Sequence, residues 1–336
     1  MEHTFYVRFL SFFENTHSLP MGKIADDLNF LEPKLLHAIK TLQGFGVAIS
    51  LSEEKQLQFI DKPLKPFSVN TICSLISEEH GISARNVHLL TSTNSTNSHL
   101  KKQMFQAALP VICLAEHQAA GRGRRGKTWI SPLGSNIYLS VRVKIQLSQE
   151  KIGMLSLVSG LAVVNALQAV GLNKLAIKWP NDVYCNGKKL GGILIEAVSL
   201  KNDEAELIIG IGVNVKMPNK SADNIDQDWT DLSQQLQREE LCRSEISGRI
   251  INQLLNHIQA YQNNDLHGFA EDWSNYDYLK DKEVSITGLH IEMHGVAKGI
   301  DEKGQLLILS NNQLHALNSG EVSVKVSNQE YNQEYQ

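Results

Sequence analysis

Residues 121–127 read Gly121-Arg122-Gly123-Arg124-Arg125-Gly126-Lys127, and the fold class turns on what that string is. Its letters spell G-x-G-x-x-G. That would make the chain a doubly wound dinucleotide-binding protein if a strand ran into it, a helix of small residues left it and an acid followed about 20 residues on. The flanks supply none of these. The apolar run at 109–115 stops several residues short of Gly121, three arginines crowd the turn, and Thr128-Trp129-Ile130-Ser131-Pro132 reads as turn or strand. Four cations in seven residues describe an anion-binding loop instead. Its glycines let the backbone approach a ligand, and its guanidinium forks match carboxylate and phosphate oxygens. A solvated basic loop is the plainer alternative, and the motifs downstream decide against it.

Outward from the loop, 84–268 alternates apolar runs with amphipathic helices. Strands are expected near 87–90, 111–115, 137–143, 176–178, 192–196 and 206–213. A helix at 244–263 puts Ile246, Ile250, Leu254, Ile258 and Tyr261 on one face. This is an α/β or α+β domain. After Lys280 the texture becomes short alternating segments at 283–286, 294–297, 305–309 and 321–326, cut by turns such as Asp301-Glu302-Lys303-Gly304. That spacing predicts a small SH3-like β-barrel. The tail, 327–336, repeats Asn-Gln-Glu-Tyr and is expected to be disordered.

Before the loop, 1–62 reads as short helices followed by a hairpin. A helix at 19–28 precedes one at 31–43, with Pro33 in its first turn, Leu35, Leu36, Ile39 and Leu42 on its core face, and Gly44 or Gly46 to end it. The segments 47–50 and 57–60 complete a winged helix-turn-helix pattern. DNA binding stays open, because 1–62 carries six Lys or Arg against eight Asp or Glu and the wing tip is Glu53-Glu54. The prolines of Lys62-Pro63-Leu64-Lys65-Pro66 mark a boundary, and a linking helix capped by Ser68 is expected over 68–79.

At 336 residues and 42% hydrophobic, the chain is long enough for two or three domains, and its net charge of −4 gives no bulk attraction to nucleic acid or anionic membrane. Cys73, Cys113, Cys185 and Cys242 form no C-x-x-C pair, so neither a zinc site nor a disulfide framework is expected and a reducing cytoplasm suits the chain. No signal segment opens the sequence, and the apolar stretch 155–172 is broken by Ser156, Ser159, Asn165 and Gln168, so no membrane span is expected. No carboxylate or histidine cluster has metal-ligand spacing.

Four motifs fall in one order: Ser95-Thr96-Asn97; Gln118 with the arginine loop and Trp129; Lys178-Trp179-Pro180-Asn181-Asp182 with Lys189-Leu190-Gly191-Gly192-Ile193-Leu194-Ile195-Glu196; and Gly210-Ile211-Gly212-Val213-Asn214. Together they resemble the bacterial biotin protein ligases, specifically the bifunctional kind that joins a winged-helix repressor domain to the ligase. The resemblance covers about 85–326, with a looser match over 1–62. It implies an α+β chain: an N-terminal winged helix-turn-helix (1–62), a linker and helix (63–84), a central α/β catalytic domain of the biotin/lipoyl ligase type with a mixed sheet (85–270), and an SH3-like C-terminal barrel (280–326). The implied activity makes biotinyl-5′-adenylate from biotin and MgATP, then passes the biotinyl group to a lysine of the biotin carboxyl carrier protein of acetyl-CoA carboxylase. A carboxylate must meet a phosphate in that reaction, so preorganised cations are what the chemistry needs.

Carried over motif by motif, Lys189 would reach the biotin carboxylate and the α-phosphate, while Gly121, Arg122, Gly123 and Arg124 wrap the acyl-adenylate. Ser95, Thr96, Asn97 and Gln118 would partner the ureido ring, and Gly192, Leu194 and Gly210 would shape the apolar slot. Arg124, Lys127, Trp129, Asn181 and Asn214 would form the nucleotide side. Asp182 would orient or deprotonate the carrier lysine, which is mostly ammonium at neutral pH. The run Ser92-Thr93-Asn94-Ser95-Thr96-Asn97 is a duplication, and the count to Gly121 favours the second copy. Lys127 stands where many members place arginine, which keeps charge but loses the fork. Mg²⁺ is expected only with ATP. The resemblance further implies operator DNA as a partner and a homodimer when the adenylate is bound. A lipoate protein ligase and a ligand-sensing regulator without transfer activity remain the competing readings.

Overall fold

The structure, a computed structural model, describes residues 3–102, 108–147, 149–201, 203–218, 221, 225–263, 269–288, 292–320 and 322–327. Apart from Ser327, the tail expected to be disordered lies outside these residues.

The N-terminal part folds around aromatic and branched side chains. Helices α1 (His3–Ser11), α2 (Met21–Leu28) and α3 (Glu32–Gly44) pack with strands β1 (Ser18–Pro20), β2 (Ala48–Leu51) and β3 (Gln56–Asp61), paired antiparallel in the order β1-β3-β2. Tyr6, Phe9, Phe13, Ile24, Leu35 and Phe59 belong to its core. Asn29, in the left-handed region that asparagine tolerates, ends α2 and turns the chain toward α3, whose first turn holds Pro33.

The linking helix is shorter than expected. Ser68 caps α4 (Val69–Cys73) by accepting from Thr71 N, but the chain then leaves the helical path because Ser77 N donates to Asn252 Oδ1 in a distant helix.

The central sheet has seven strands: β4 (Val87–Thr93), β5 (Val111–Gln118), β6 (Ile137–Gln146), β7 (Leu175–Lys178), β8 (Asp182–Cys185), β9 (Lys188–Lys201) and β10 (Glu204–Val213). Their order is β4-β5-β6-β10-β9-β8-β7, with β4 and β5 parallel and the other pairs antiparallel, so the sheet is mixed. Helix α5 (Thr96–Lys102) crosses between β4 and β5. Helices α6 (Gln149–Ile152), α7 (Leu155–Gln168), α8 (Leu232–Leu236), α9 (Arg243–Gln262) and α10 (Phe269–Tyr276) follow.

Period-2 alternation assigns the faces. Ile112, Leu114, Leu207 and Ile209 point into the core shared with α7 and α9, whereas Val111, Cys113 and Ile208 pack with Leu100 of α5 on the other side. Helix α7 is buried almost all round because the sheet and α9 both cover it, which explains its missing polar face. No helix among the described residues is long and apolar enough to cross a membrane.

The C-terminal part is an antiparallel five-stranded sheet of β11 (Glu283–Gly288), β12 (Glu292–Ile300), β13 (Leu306–Ser310), β14 (Gln313–Leu317) and β15 (Val322–Val326), ordered β14-β13-β12-β11-β15. It docks where Trp179 Nε1 donates to Gly304 O at 3.0 Å.

Candidate functional site

Sheet register lays the floor of the site. Directly opposed residues share a face, so Ser140, Gly210 and Leu194 form one row across β6, β10 and β9. Tyr138, Gly212, Gly192 and Asp182 form the next, extended to β8. Two glycines keep this floor flat. A Cβ at Gly212 would lie 2.6 Å from Trp129 Cε2, and one at Gly210 would collide with the Asn97 amide. Above the rows opens a cavity of about 480 Å³.

One wall is polar and uncharged. It forms where β4 runs into α5, so that Ser95, Thr96 and Asn97 of the second triplet reach the cavity from the buried start of the helix. Gln118, the last residue of β5, accepts at Oε1 from Thr96 N at 2.9 Å and donates from Nε2 to Ser131 Oγ at 3.1 Å. Ser140 Oγ donates to Asn97 Oδ1 at 2.6 Å. The first triplet is used elsewhere: Ser92 Oγ lies 2.8 Å from His117 Nδ1, and the Thr93 and Asn94 carbonyls accept from Ala119 and Ala120.

The opposite wall is cationic. Lys189 Nζ pairs with Asp182 Oδ2 at 2.9 Å and lies 5.7 Å from the Trp129 ring centroid. Arg124, inside a short 3-10 turn, donates to Asn181 Oδ1 at 3.4 Å and to Ser319 O of the C-terminal sheet region. Arg125 holds the loop to the same region through Ser323 Oγ at 2.6 Å and Gly320 O at 3.2 Å. Burial and the neighbouring Arg125 lower the Arg124 pKa, partly offset by Asp182. Lys178 is lowered too, by burial first; Asp182 opposes this, and Lys189, Lys127 and Lys282 add to it. Positive charge therefore exceeds what Asp182 balances, and the wall is set to receive anions. Trp129 Nε1 is buried against Gly212 without a hydrogen-bond partner.

Of the residues singled out from sequence, Ser95, Thr96, Asn97, Gln118, Arg122, Gly123, Arg124, Lys127, Trp129, Asn181, Asp182, Lys189, Gly192, Leu194 and Gly210 meet on this cavity. Gly121 and Asn214 do not. Gly121 sits behind the wall, where a Cβ would strike Trp129 O and lie 2.6 Å from Ser131 Oγ. Asn214 is buried, with Nδ2 donating to Thr230 O at 3.0 Å and its backbone N to Leu190 O at 2.9 Å, so it locks the end of β10. Sequence reasoning passed over Lys178 and Tyr184, which also line the cavity, although Lys178 opens a motif already quoted. Val322, Ser323, Val324 and Lys325 arrive from the C-terminal sheet, and no local sequence signal could have brought them there. Among the described residues no three His, Cys, Asp or Glu gather in a way that could hold a metal ion.

Two sequence models match separate parts of the chain. The sequence model of the Biotin/lipoate A/B protein ligase family matches 89–214, and that of the Biotin protein ligase C terminal domain matches 281–325. The chain is 30% identical over 287 residues to the Bifunctional ligase/repressor BirA of Salmonella typhimurium, covering 85% of this chain and 87% of that one. It is 29% identical over 306 residues to the Bacillus subtilis protein of the same name, covering 90% and 92%. The biotin protein ligase of Aquifex aeolicus, solved in complex with biotin and ATP, superposes with a TM-score of 0.62 at 28% identity, covering 72% of this chain and 99% of that one.

Proposed function

This chain belongs to the biotin protein ligase family, and from that membership we infer that it is a biotin-[biotin carboxyl carrier protein] ligase, activating biotin with ATP as biotinyl-5′-AMP and transferring the biotinyl group to a carrier lysine. The observation that carries this reading is the meeting, on one cavity, of an uncharged polar wall and a cationic wall that come from separate motifs.

The proposed roles follow from the chemistry each wall offers. A ureido ring has one carbonyl and two N–H groups that need partners once buried; Thr96, Asn97 and Gln118 offer donors and acceptors over a flat floor. Lys189, paired with Asp182 on the cationic wall, would neutralise the biotin carboxylate as it approaches the α-phosphate. Arg124 and Arg122 would spread the charge that builds on the phosphoryl oxygens. The Trp129 indole and Asn181 would face the adenine, with Lys127 beside the phosphates. Asp182 would orient the carrier's amine or take up its proton once the Lys189 charge is drawn to the adenylate. Mg²⁺ would arrive on the ATP phosphates.

For 1–62 we propose a winged helix-turn-helix that binds operator DNA in response to biotin. The α2–α3 pair followed by the β2–β3 hairpin supports it, as does the repressor role in the names of the relatives. The five-stranded C-terminal sheet supports an SH3-like module, and dimerisation of the adenylate-bound form belongs to the same proposal.

The test is biotin-dependent exchange of labelled pyrophosphate into ATP, followed by transfer to an apo carrier domain. Exchange driven by biotin and not by lipoate supports the reading. Exchange driven by lipoate alone, or binding of biotin without exchange, would replace it with one of the two competing functions.

A further inference from the structure

Glu196 ends the motif that begins at Lys189 and has no part in the roles above. Its position is electrostatically odd. A carboxylate beside a loop built to hold a carboxylate and a phosphate repels both, so its presence calls for a compensating gain. The hydrogen bonds supply one. Glu196 Oε2 accepts from Arg122 NH2 at 2.8 Å and from Asn97 Nδ2 at 2.9 Å, and the same guanidinium nitrogen donates to Ser98 Oγ at 3.0 Å. The Glu196 side chain is about one-fifth exposed and that of Arg122 a little under half, so the carboxylate is oriented chiefly by having the buried Asn97 as its second donor.

The consequence for Asn97 follows from donor and acceptor types. An asparagine amide can present either end, and an ionised carboxylate only accepts. With Nδ2 committed to Glu196 and to Leu194 O at 3.2 Å, Oδ1 must face Ser140, which donates to it at 2.6 Å. Ser140 Oγ also lies 2.7 Å from Thr96 Oγ1, whose backbone N reaches Gln118. Glu196 and the Leu194 carbonyl therefore order the polar wall together, and Glu196 also pins the first arginine of the loop.

We propose that Glu196 is a positioning residue of the biotin site. With the Leu194 carbonyl it fixes the orientation of the Asn97 amide, and it tethers Arg122 to that amide, so that recognition of the ureido ring and the placement of the arginine loop are linked through one carboxylate. The proposal rests on the ligase reading and narrows it to biotin affinity.

The experiment compares the full chain with Glu196→Ala, Glu196→Gln, Arg122→Ala and the Glu196→Ala/Arg122→Ala double variant. Readouts are biotin titration calorimetry, KM values for biotin and ATP in pyrophosphate exchange, and transfer from preformed biotinyl-adenylate. Loss of a charge-assisted contact predicts about tenfold weaker biotin binding in Glu196→Ala, with the KM for ATP moved by less than about twofold. Glu196→Gln, which can still accept from both partners, falls between it and the wild type. In biotin affinity, read without ATP, the double variant is expected to be no more than about twofold worse than Glu196→Ala, because at that step the two side chains act through one contact. Unchanged biotin affinity in Glu196→Ala overturns the proposal. So does equal weakening toward biotin and ATP, the pattern of general structural damage, and so do additive effects in the double variant. A wild-type chain that shows no biotin-dependent exchange sinks the ligase reading itself.

Discussion

Lys189 and Asp182 form a 2.9 Å pair whose side chains are 14% and 23% exposed, so neither is an ordinary surface charge. Strand pairing across the turn at Asn186-Gly187 brings them together: β8 and β9 are antiparallel neighbours, and Lys189 opposes Tyr184 just past a register shift. In the proposed chemistry the two act at different steps, and substitution should separate them. Lys189→Ala removes the charge that lets two anions meet and is expected to slow pyrophosphate exchange by about 10²–10³-fold. Asp182→Asn keeps the size and leaves Lys189 charged. Its larger effect, about 10²-fold, is expected in single-turnover transfer from preformed adenylate to the carrier lysine. Equal losses of both activities in Asp182→Asn would remove its proposed part in transfer and leave it as a partner of Lys189.

Strand β10 shows how an element makes a site by withholding side chains. Gly210 and Gly212 stand on its α5 face, and their flatness admits the Asn97 amide and the Trp129 ring. Gly210→Ala is therefore expected to displace Asn97 and weaken biotin binding by about 100-fold, with secondary structure unchanged by circular dichroism. Native affinity in that variant would show that the amide has room to move. Much of this was legible in sequence, because the glycines of Gly210-Ile211-Gly212 interrupt an apolar run that must otherwise be a buried strand, and the six expected strands of the central sheet are all present. The elements that escaped notice are short or polar. Strand β8 spans four residues and starts on the last residue of the turn-like Pro180-Asn181-Asp182 string, and β14 begins after Asn311-Asn312, both at positive φ, with Gln313 and His315 breaking its apolar pattern. Glu196 escaped for a different reason: Arg122 and Asn97 lie 74 and 99 residues away in sequence, and hydrogen bonds at that range leave no periodicity to read.

At the scale of the molecule, the last three residues of β5 each reach a different body. Gln118 enters the cavity and His117 stacks on Phe45 of the N-terminal part with centroids 4.3 Å apart. Glu116 lies fully buried against Arg243 of α9 at 2.6 Å. Burial lowers the His117 pKa to about 4. The unfolded chain takes up that proton first, so the contribution is complete above pH about 6.5 and is lost as pH falls toward 4. His117→Phe, which keeps a ring for Phe45, is expected to flatten the fall in urea midpoint between about pH 7 and pH 5.

The Glu116–Arg243 pair joins several separate parts of the chain. Glu116 Oε1 accepts from Phe67 N, and Arg243 donates to Asn136 O, Lys65 O and Leu64 O, so the 63–84 connection, the sheet and α9 are held at one point. Arg243 also lies over the Phe67 ring at 4.3 Å. Because the charges have been taken out of water, the pair's net worth is small while the cost of breaking it is large. Glu116→Ala strands a buried guanidinium and is expected to cost about 3–5 kcal/mol in urea unfolding. The double variant Glu116→Gln/Arg243→Met removes both charges, and its loss is expected to be smaller than that of Glu116→Ala alone. A double variant worse than the single one would mean that the carbonyls of Leu64, Lys65 and Asn136, deprived of their donor, and not the unpaired charge, dominate the energetics of the junction.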